Sequence, residues 1–405
     1  MHPVVKPALR RGWRDLNTVQ FGMTPAHAVT LGPVDTATGS FLDLLDGTRG
    51  LPLLRQEGRR MDLPEDHVDG VVDRLERSGL LDDGRGGGEA ADALRGRKEV
   101  MDRLRPDLAA LSLTARAPGG AVRRLAARRG LRVQVRGAGR VGALLAAVLS
   151  GAGVGEVDVR DGGCVEPWDV APGGLPADAV GERRESAARR AVRGAAPDRA
   201  VRRTAGAASA PDDPGHSLVI LAPRDDVAVH APDPSSAGAL MASGTPHLYA
   251  GVVEGTGVVG PLVLPGESAC AECLHRERTD RDAAWPRLVA QWRSGRARRT
   301  APACDLALAT TVAGLAAAHA LAFLDGAVPC AADSRWEVSA PHLTWRVRAV
   351  RPHPGCPCAA AVDIGGERAS KDAGRRATMA EQGPSSKPCR QGGTARPART
   401  WRAHV

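Results

Sequence analysis

The run Gly137-Ala138-Gly139-Arg140-Val141-Gly142 constrains this chain more than any other feature, because of what flanks it. Leu131 to Val135 is a short β-type run that stops at the glycines, and Val141 to Leu149 continues as a helical run. The next β-type run, Glu156 to Arg160, leads into Asp161, 19 residues beyond the last glycine. Strand, glycine turn, helix, strand and acid in this order are what a parallel sheet uses to hold a nucleotide. Gly137 permits the tight turn, Gly139 lets the backbone approach a phosphate at a helix N-terminus, and Gly142 lets helix and strand pack closely. Asp161 is placed to bind ribose hydroxyls. The competing reading is a fold that keeps this turn after its ligand has been lost.

Further β-type runs at Ser217 to Leu221 and His247 to Val253, separated by Ala/Arg-rich helical segments, continue the alternation. The expected fold class is α/β, a Rossmann-like body with a mainly parallel sheet over 131–364. The first 85 residues have their own punctuation. Val19 to Met23 and His27 to Leu31 read as short strands, and Thr36 to Leu45 as a helix ended by Asp46-Gly47. A second helix starts near Leu51, and a third runs from Pro64 to Leu81 with Val68, Val71, Val72 and Leu75 on one face. Two small strands and three helices predict a winged-helix-like module over 1–85, followed by a helical linker over 86–130. Residues 365–405 hold few large apolar side chains, so they are expected to form a disordered basic tail that includes Cys389.

With 405 residues the chain is long enough for two or three domains. Its net charge of +9 comes almost wholly from Arg in a background rich in Ala, Gly and Pro, and it does not argue for nucleic acid. Aromatic residues are only 3%, too few for base-stacking surfaces, and Glu65, Asp66, Asp69, Asp73 and Glu76 on the third helix would face phosphates unfavourably. No nucleic-acid or membrane partner is expected. The uncharged stretch Leu306 to Leu324 is long enough to span a bilayer, but its Ala, Thr and His content fits a buried helix better. No signal segment opens the chain, and a reducing cytoplasm is the expected compartment.

Cys270-x-x-Cys273 and Cys356-x-Cys358 are two close thiol pairs about 80 residues apart. Four thiolates can close a tetrahedral structural Zn²⁺ site; redox-active or free thiols are the alternatives. Cys304, just before the Ala-rich stretch, is a candidate acceptor thiol whose commoner explanation is a buried free cysteine.

Together, the glycine turn, Gly151-Ala152-Gly153-Val154-Gly155, Asp161 and Val165-Glu166 resemble the ThiF/MoeB family of ubiquitin-activating-type adenylyltransferases. Gly260 to Gly266, Cys270 to Leu274, Asp280 to Pro286 and His353 to Cys358 narrow the resemblance. These segments are similar to actinobacterial ThiF-like cyclodehydratase or leader-peptide-binding components of thiazole/oxazole-modified peptide pathways. In such proteins an N-terminal module resembles PqqD-type peptide-recognition elements, and Thr36 to Gly47 with the two following helices looks like that module. The resemblance implies a homodimer, ATP with Mg²⁺, and zinc on the same four cysteines.

Several positions depart from the family's active pattern. Gly163 stands where a second acid is expected, Pro172 where an arginine holds the triphosphate, and Arg184 where the catalytic lysine stands. Of the metal-binding acid only Asp225 remains, one step off register. Adenylation needs a metal and cations because negative charge accumulates as pyrophosphate leaves. The sequence therefore predicts weak or absent chemistry and no catalytic residue, with residual nucleotide binding at Gly137, Gly139, Gly142, Asp161 and Arg184. The leading expectation is a scaffold that binds a precursor peptide and presents it to a modifying enzyme such as a YcaO-type cyclodehydratase. The alternative is an active adenylyltransferase acting on a C-terminal carboxylate. An NAD-dependent oxidoreductase has the turn but no recognisable hydride-transfer site.

Overall fold

The computed structural model describes residues 1–198, 215–294, 301–327 and 329–358. The chain divides into Met1–Ala360 and Ala361–Val405; the second unit, and with it the expected basic tail, lies outside the described residues.

At the N-terminus the strands are β1 (Pro3–Val5), β2 (Arg11–Asp15), β3 (Thr18–Phe21), β4 (Val29–Leu31) and β5 (Leu81–Asp83). β2, β3 and β4 form an antiparallel sheet in that order, while β1 pairs antiparallel with β5. Three helices pack with them: α1 (Thr36–Phe41), α2 (Leu51–Arg60) and α3 (His67–Arg77). Asp35 caps α1 by accepting from the Thr38 amide at 2.7 Å, and the helix tightens into a 3₁₀ turn at Leu42–Leu44. On α3 the buried residues are Val68, Val71, Val72 and Leu75, the face the periodicity predicts. They meet Val19, Phe21, Leu31, Phe41 and Leu54 in one apolar cluster. Leu81–Asp83 closes the β1–β5 pair and Arg11–Asp15 forms β2, two strands where no strand was expected.

The linker segment forms three packed helices, α4 (Glu89–Arg95), α5 (Lys98–Thr114) and α6 (Gly120–Arg128), around Leu94, Leu104, Leu111 and Leu125. Buried Lys6 donates to the Ala115 carbonyl at 2.7 Å, and Asp82 accepts from the Gly119 amide at 2.6 Å, so these helices are tied to the N-terminal strands.

The main body runs β6 (Arg132–Arg136), α7 (Arg140–Gly151), β7 (Glu156–Arg160), α8 (Arg184–Ala195), β8 (Leu218–Leu221), α9 (Asp226–His230), α10 (Gly238–Ala242) and β9 (His247–Val253). It continues with β10 (Thr256–Val263), α11 (Ala271–Arg281), α12 (Trp285–Ser294), α13 (Leu306–Leu324), β11 (Ser334–Ser339) and β12 (Thr344–Ala349). One seven-stranded sheet has the order β12-β11-β10-β9-β8-β6-β7. β7, β6, β8 and β9 are mutually parallel, as the strand–helix alternation predicts. β10, β11 and β12 extend the sheet as an antiparallel meander.

α13 is long and apolar enough to cross a membrane by length and composition. It puts Leu308, Ala309, Val312, Ala313, Ala316, Ala317 and Ala320 into the same core cluster as the sheet. Gly257 makes that approach close, since a Cβ there would lie 2.3 Å from Val312. At its C-terminal end Asp325 holds buried Arg128 of α6 through two contacts, at 2.8 and 2.6 Å.

Candidate nucleotide site and metal centre

The glycine turn sits where β6 has β7 on one side and β8 on the other, the reversal point at which open α/β sheets bind ligands. Gly137 has φ +105°, and a Cβ there would lie 2.0 Å from the Ala222 carbonyl beyond β8. A Cβ on Gly142 would lie 2.0 Å from the Gly137 carbonyl, so α7 rests directly on the end of its strand. Both glycines thus serve the packing roles assigned from sequence. Gly139 differs: its open side faces the Arg224 side chain, with Cγ 2.8 Å from where a Cβ would stand.

Asp161 follows β7 and does lie beside the turn, but its carboxylate is already engaged. One oxygen accepts from the Ala138 amide at 2.8 Å; the other accepts from the Gly163 amide at 3.0 Å and from Arg184 at 2.5 Å. Arg184, only 5% exposed at the start of α8, turns inward. Its Nε donates to Asp169 at 3.2 Å and its Nη2 to the Cys164 carbonyl at 2.6 Å. Asp169 also takes Arg224 Nε at 2.9 Å, and Arg224 reaches on to Glu166. Burial works against the Arg224 charge, yet its contacts with Glu166 and Asp169 hold it above its ordinary value. The result is a chain of ion pairs, Asp161–Arg184–Asp169–Arg224–Glu166, running across the mouth of the turn.

Sequence reasoning singled out Asp161 and Arg184 but gave no site role to Glu166, Asp169 or Arg224. Asp169 belongs to a 3₁₀ turn at Pro167–Asp169 capped reciprocally with Glu166, a local pattern that could have flagged it. Its pairing with Arg224 spans 55 residues and leaves no local trace. Asp225 is exposed and accepts from the Val227 amide at 2.9 Å, which makes it the N-cap of α9. Pro172 is exposed in the loop after the 3₁₀ turn. Cys304 is half-buried, and burial pushes its thiol up, the opposite of an activated nucleophile.

The cysteine quartet comes together. Cys270 caps α11 and Cys273 lies in its first turn, while Cys356 and Cys358 arrive on the segment after β12. The Sγ separations are 3.8 Å for Cys270–Cys273, 3.6 Å for Cys270–Cys356 and 3.5 Å for Cys273–Cys358, and all four sulfurs lie within 4.8 Å of one another. A tetrahedral ion with metal–sulfur bonds of about 2.3 Å requires sulfurs about 3.8 Å apart, so the cluster could bind one metal ion with little rearrangement. The Cys270 thiol, donating toward Cys273, is held up and Cys273 correspondingly down; burial pushes Cys356 up to about 12. A bound cation would reverse these upward shifts, because thiolates are its ligands.

Comparison with solved structures places the architecture among known proteins. E. coli MccB with MccA-N7isoASN superposes with a TM-score of 0.63 at 14% identity, covering 89% of this chain and 100% of that one. E. coli MccB with ATP gives 0.62 at 15% identity, covering 88% and 99%. PaaA gives 0.59 at 17% identity, covering 85% and 99%. At these identities the likeness shows a shared fold. No curated protein sequence is significantly similar. The ThiF family model matches residues 119–358, which hold the glycine turn, the ion-pair chain and all four clustered cysteines. By that match over more than half its length, this chain belongs to the ThiF family.

Proposed function

We propose that this protein binds a precursor peptide and presents it to a separate modifying enzyme, such as a YcaO-type cyclodehydratase, without adenylating the peptide itself. The observation that carries this reading is the ion-pair chain over the glycine turn. An adenylyltransferase keeps its cations and acids available for phosphates and metal. Here Arg184 and Arg224 are neutralised by Asp161, Asp169 and Glu166, and the Arg224 stem lies against Gly139, where a phosphate would approach. Breaking a buried pair of this kind costs about 3–5 kcal/mol, which ATP would have to repay before gaining any contact. Asp225, the remaining metal acid, is committed to α9.

The N-terminal module supplies a docking edge. β4 ends the β2-β3-β4 sheet and lies beside α3, whose Arg74 reaches the Gly32 carbonyl just after β4. An extended peptide added there gains main-chain hydrogen bonds from the strand and side-chain contacts from the helix. That MccB, the same fold, has been solved with MccA supports a body of this kind working on peptides. We read the quartet Cys270, Cys273, Cys356 and Cys358 as a structural Zn²⁺ site. Zinc there would supply a cross-link between the α11 N-terminus and the segment after β12, with no open position for catalysis. A cytoplasmic homodimer completes the reading, on the family resemblance.

The second reading, an active adenylyltransferase, is favoured by the intact glycine turn and by the fold shared with MccB solved with ATP. Pyrophosphate exchange with and without peptide separates the two. Peptide binding without ATP, and no exchange, is the expected outcome; peptide-dependent exchange would overturn the scaffold reading.

A further inference from the structure

The strongest unassigned feature lies at the opposite end of the sheet from the glycine turn. β12 is the last strand in the order, all six of its residues are exposed, and no described element pairs with its outer edge. Its register on β11 sets Arg348 opposite Arg335 and Arg346 opposite Glu337, so these four side chains share one face of the sheet. Trp345 and Val347, 48% and 53% exposed, share the other.

Behind the arginine face lies a cavity of about 600 Å³ lined by Arg278, Arg281, Arg335, Arg348 and Arg351, with Glu277, which pairs with Arg281 at 2.6 Å, the one carboxylate in its lining. Its charges do not balance. Glu337 is shared by Arg335 at 3.3 Å and Arg348 at 3.2 Å. Arg278 donates to the His230 carbonyl at 2.8 Å and lies over the Trp285 ring, and no described carboxylate is within ion-pair reach of it. Arg335 is 1% exposed; its terminal nitrogens donate to the His230 and Val229 carbonyls at 3.2 and 3.4 Å, and the Glu337 it shares with Arg348 is its one carboxylate among the described residues. Burial first, then Arg278, pushes Arg335 down to about 10; burial with Arg278 and Arg335 pushes His230 down to about 4. Burial dominates both shifts; the neighbouring arginines add to it and Glu337 opposes it. Edge strands often carry charge only to prevent aggregation, but that role needs no half-buried arginine held behind the edge on a carbonyl and a ring, as Arg278 is.

We infer that the outer edge of β12 takes an extended peptide in which acidic and apolar side chains alternate, the acids facing Arg346, Arg348 and the cavity, the apolar residues facing Trp345 and Val347. Opposite charges directly across a strand pair stabilise it and like charges oppose it. Two other occupants are disfavoured on that ground. A second copy added antiparallel across a two-fold axis would set Arg346 and Arg348 against their own copies. The chain's own segment 361–405 carries nine Lys and Arg against four Asp and Glu, the wrong sign for this face. The inference is independent of the β4 edge and of whether the protein uses ATP.

The test uses the full chain and three fluorescein-labelled hexapeptides, (Glu-Val)₃, (Lys-Val)₃ and (Glu-Pro)₃, followed by fluorescence anisotropy. The expected result is saturable binding of (Glu-Val)₃ and affinities at least about tenfold weaker for the other two, one lacking the sign and the other the strand hydrogen bonds. The double variant Arg346→Glu/Arg348→Glu changes only exposed side chains and keeps the wild-type circular dichroism; it is expected to weaken (Glu-Val)₃ by at least about tenfold. Three results would each overturn the inference: no binding of (Glu-Val)₃, equal binding of (Glu-Pro)₃, or unchanged binding of (Glu-Val)₃ to the double variant.

Discussion

Replacing Arg184 separates the two roles it could have. If Arg184 serves a nucleotide, removing it costs ligand binding and little stability. If it closes the site, as its contacts indicate, removing it costs the fold. Arg184→Met keeps the apolar stem and deletes donors to three acceptors: Asp161, Asp169 and the Cys164 carbonyl. Stripping one partner from a buried ion pair costs about 3–5 kcal/mol. The lower end applies here, because Asp161 keeps the Ala138 and Gly163 amides and Asp169 keeps Arg224 and the Glu166 amide. A loss of about 3 kcal/mol corresponds to a fall in Tm of roughly 6–12 °C for a body of this size. Differential scanning calorimetry of both proteins measures it, with Arg184→Lys as a control that keeps the charge but not the planar fork and is expected to fall in between. A Tm for Arg184→Met within about 2 °C of the wild type would refute the closed-site argument, since an interaction worth so little closes nothing.

Other expectations follow from the same geometry. Cys273→Ser removes one of four clustered thiols, so metal analysis should find about one Zn²⁺ per chain in the wild type and far less in the variant, with a lower Tm. Gly142→Ala places a methyl 2.0 Å from the Gly137 carbonyl and should destabilise the body by about 2 kcal/mol or more, read from the urea midpoint. His230 is depressed by burial to about 4 from an ordinary 6.5, so between those values the unfolded chain binds the proton and the folded one does not. Stability should therefore fall as pH drops from 6.5 to 4. Because His216, His247 and His319 are also lowered by burial, the His230 share is the part of that slope that His230→Gln removes.

What could be read from the sequence was local. Strands Glu156–Arg160 and His247–Val253 and helix Leu306–Leu324 stand where periodicity and flanking acids put them, because each carries its own apolar signal. The glycine turn and the cysteine quartet were legible because their chemistry demands particular residues at particular spacings. What was missed depends on distance or on exposure. β5 pairs with β1 across nearly the whole N-terminal module, and its Asp-Asp composition reads as loop. β12 is exposed throughout and alternates arginine with Trp and Val, so it offers no buried stripe to detect. The engagement of Asp161 by Arg184, and of Asp169 by Arg224, joins segments 23 and 55 residues apart. The glycines alone therefore gave no sign that Arg184 pairs with Asp161 and that the Arg224 stem lies against Gly139.

Titration of the full-length protein with ATP and Mg²⁺, with pyrophosphate exchange measured on the same sample, tests the central claim most directly. A closed site predicts no saturable heat and no exchange. Saturable binding accompanied by exchange would show that the ion-pair chain opens for substrate, and the protein would then be an adenylyltransferase.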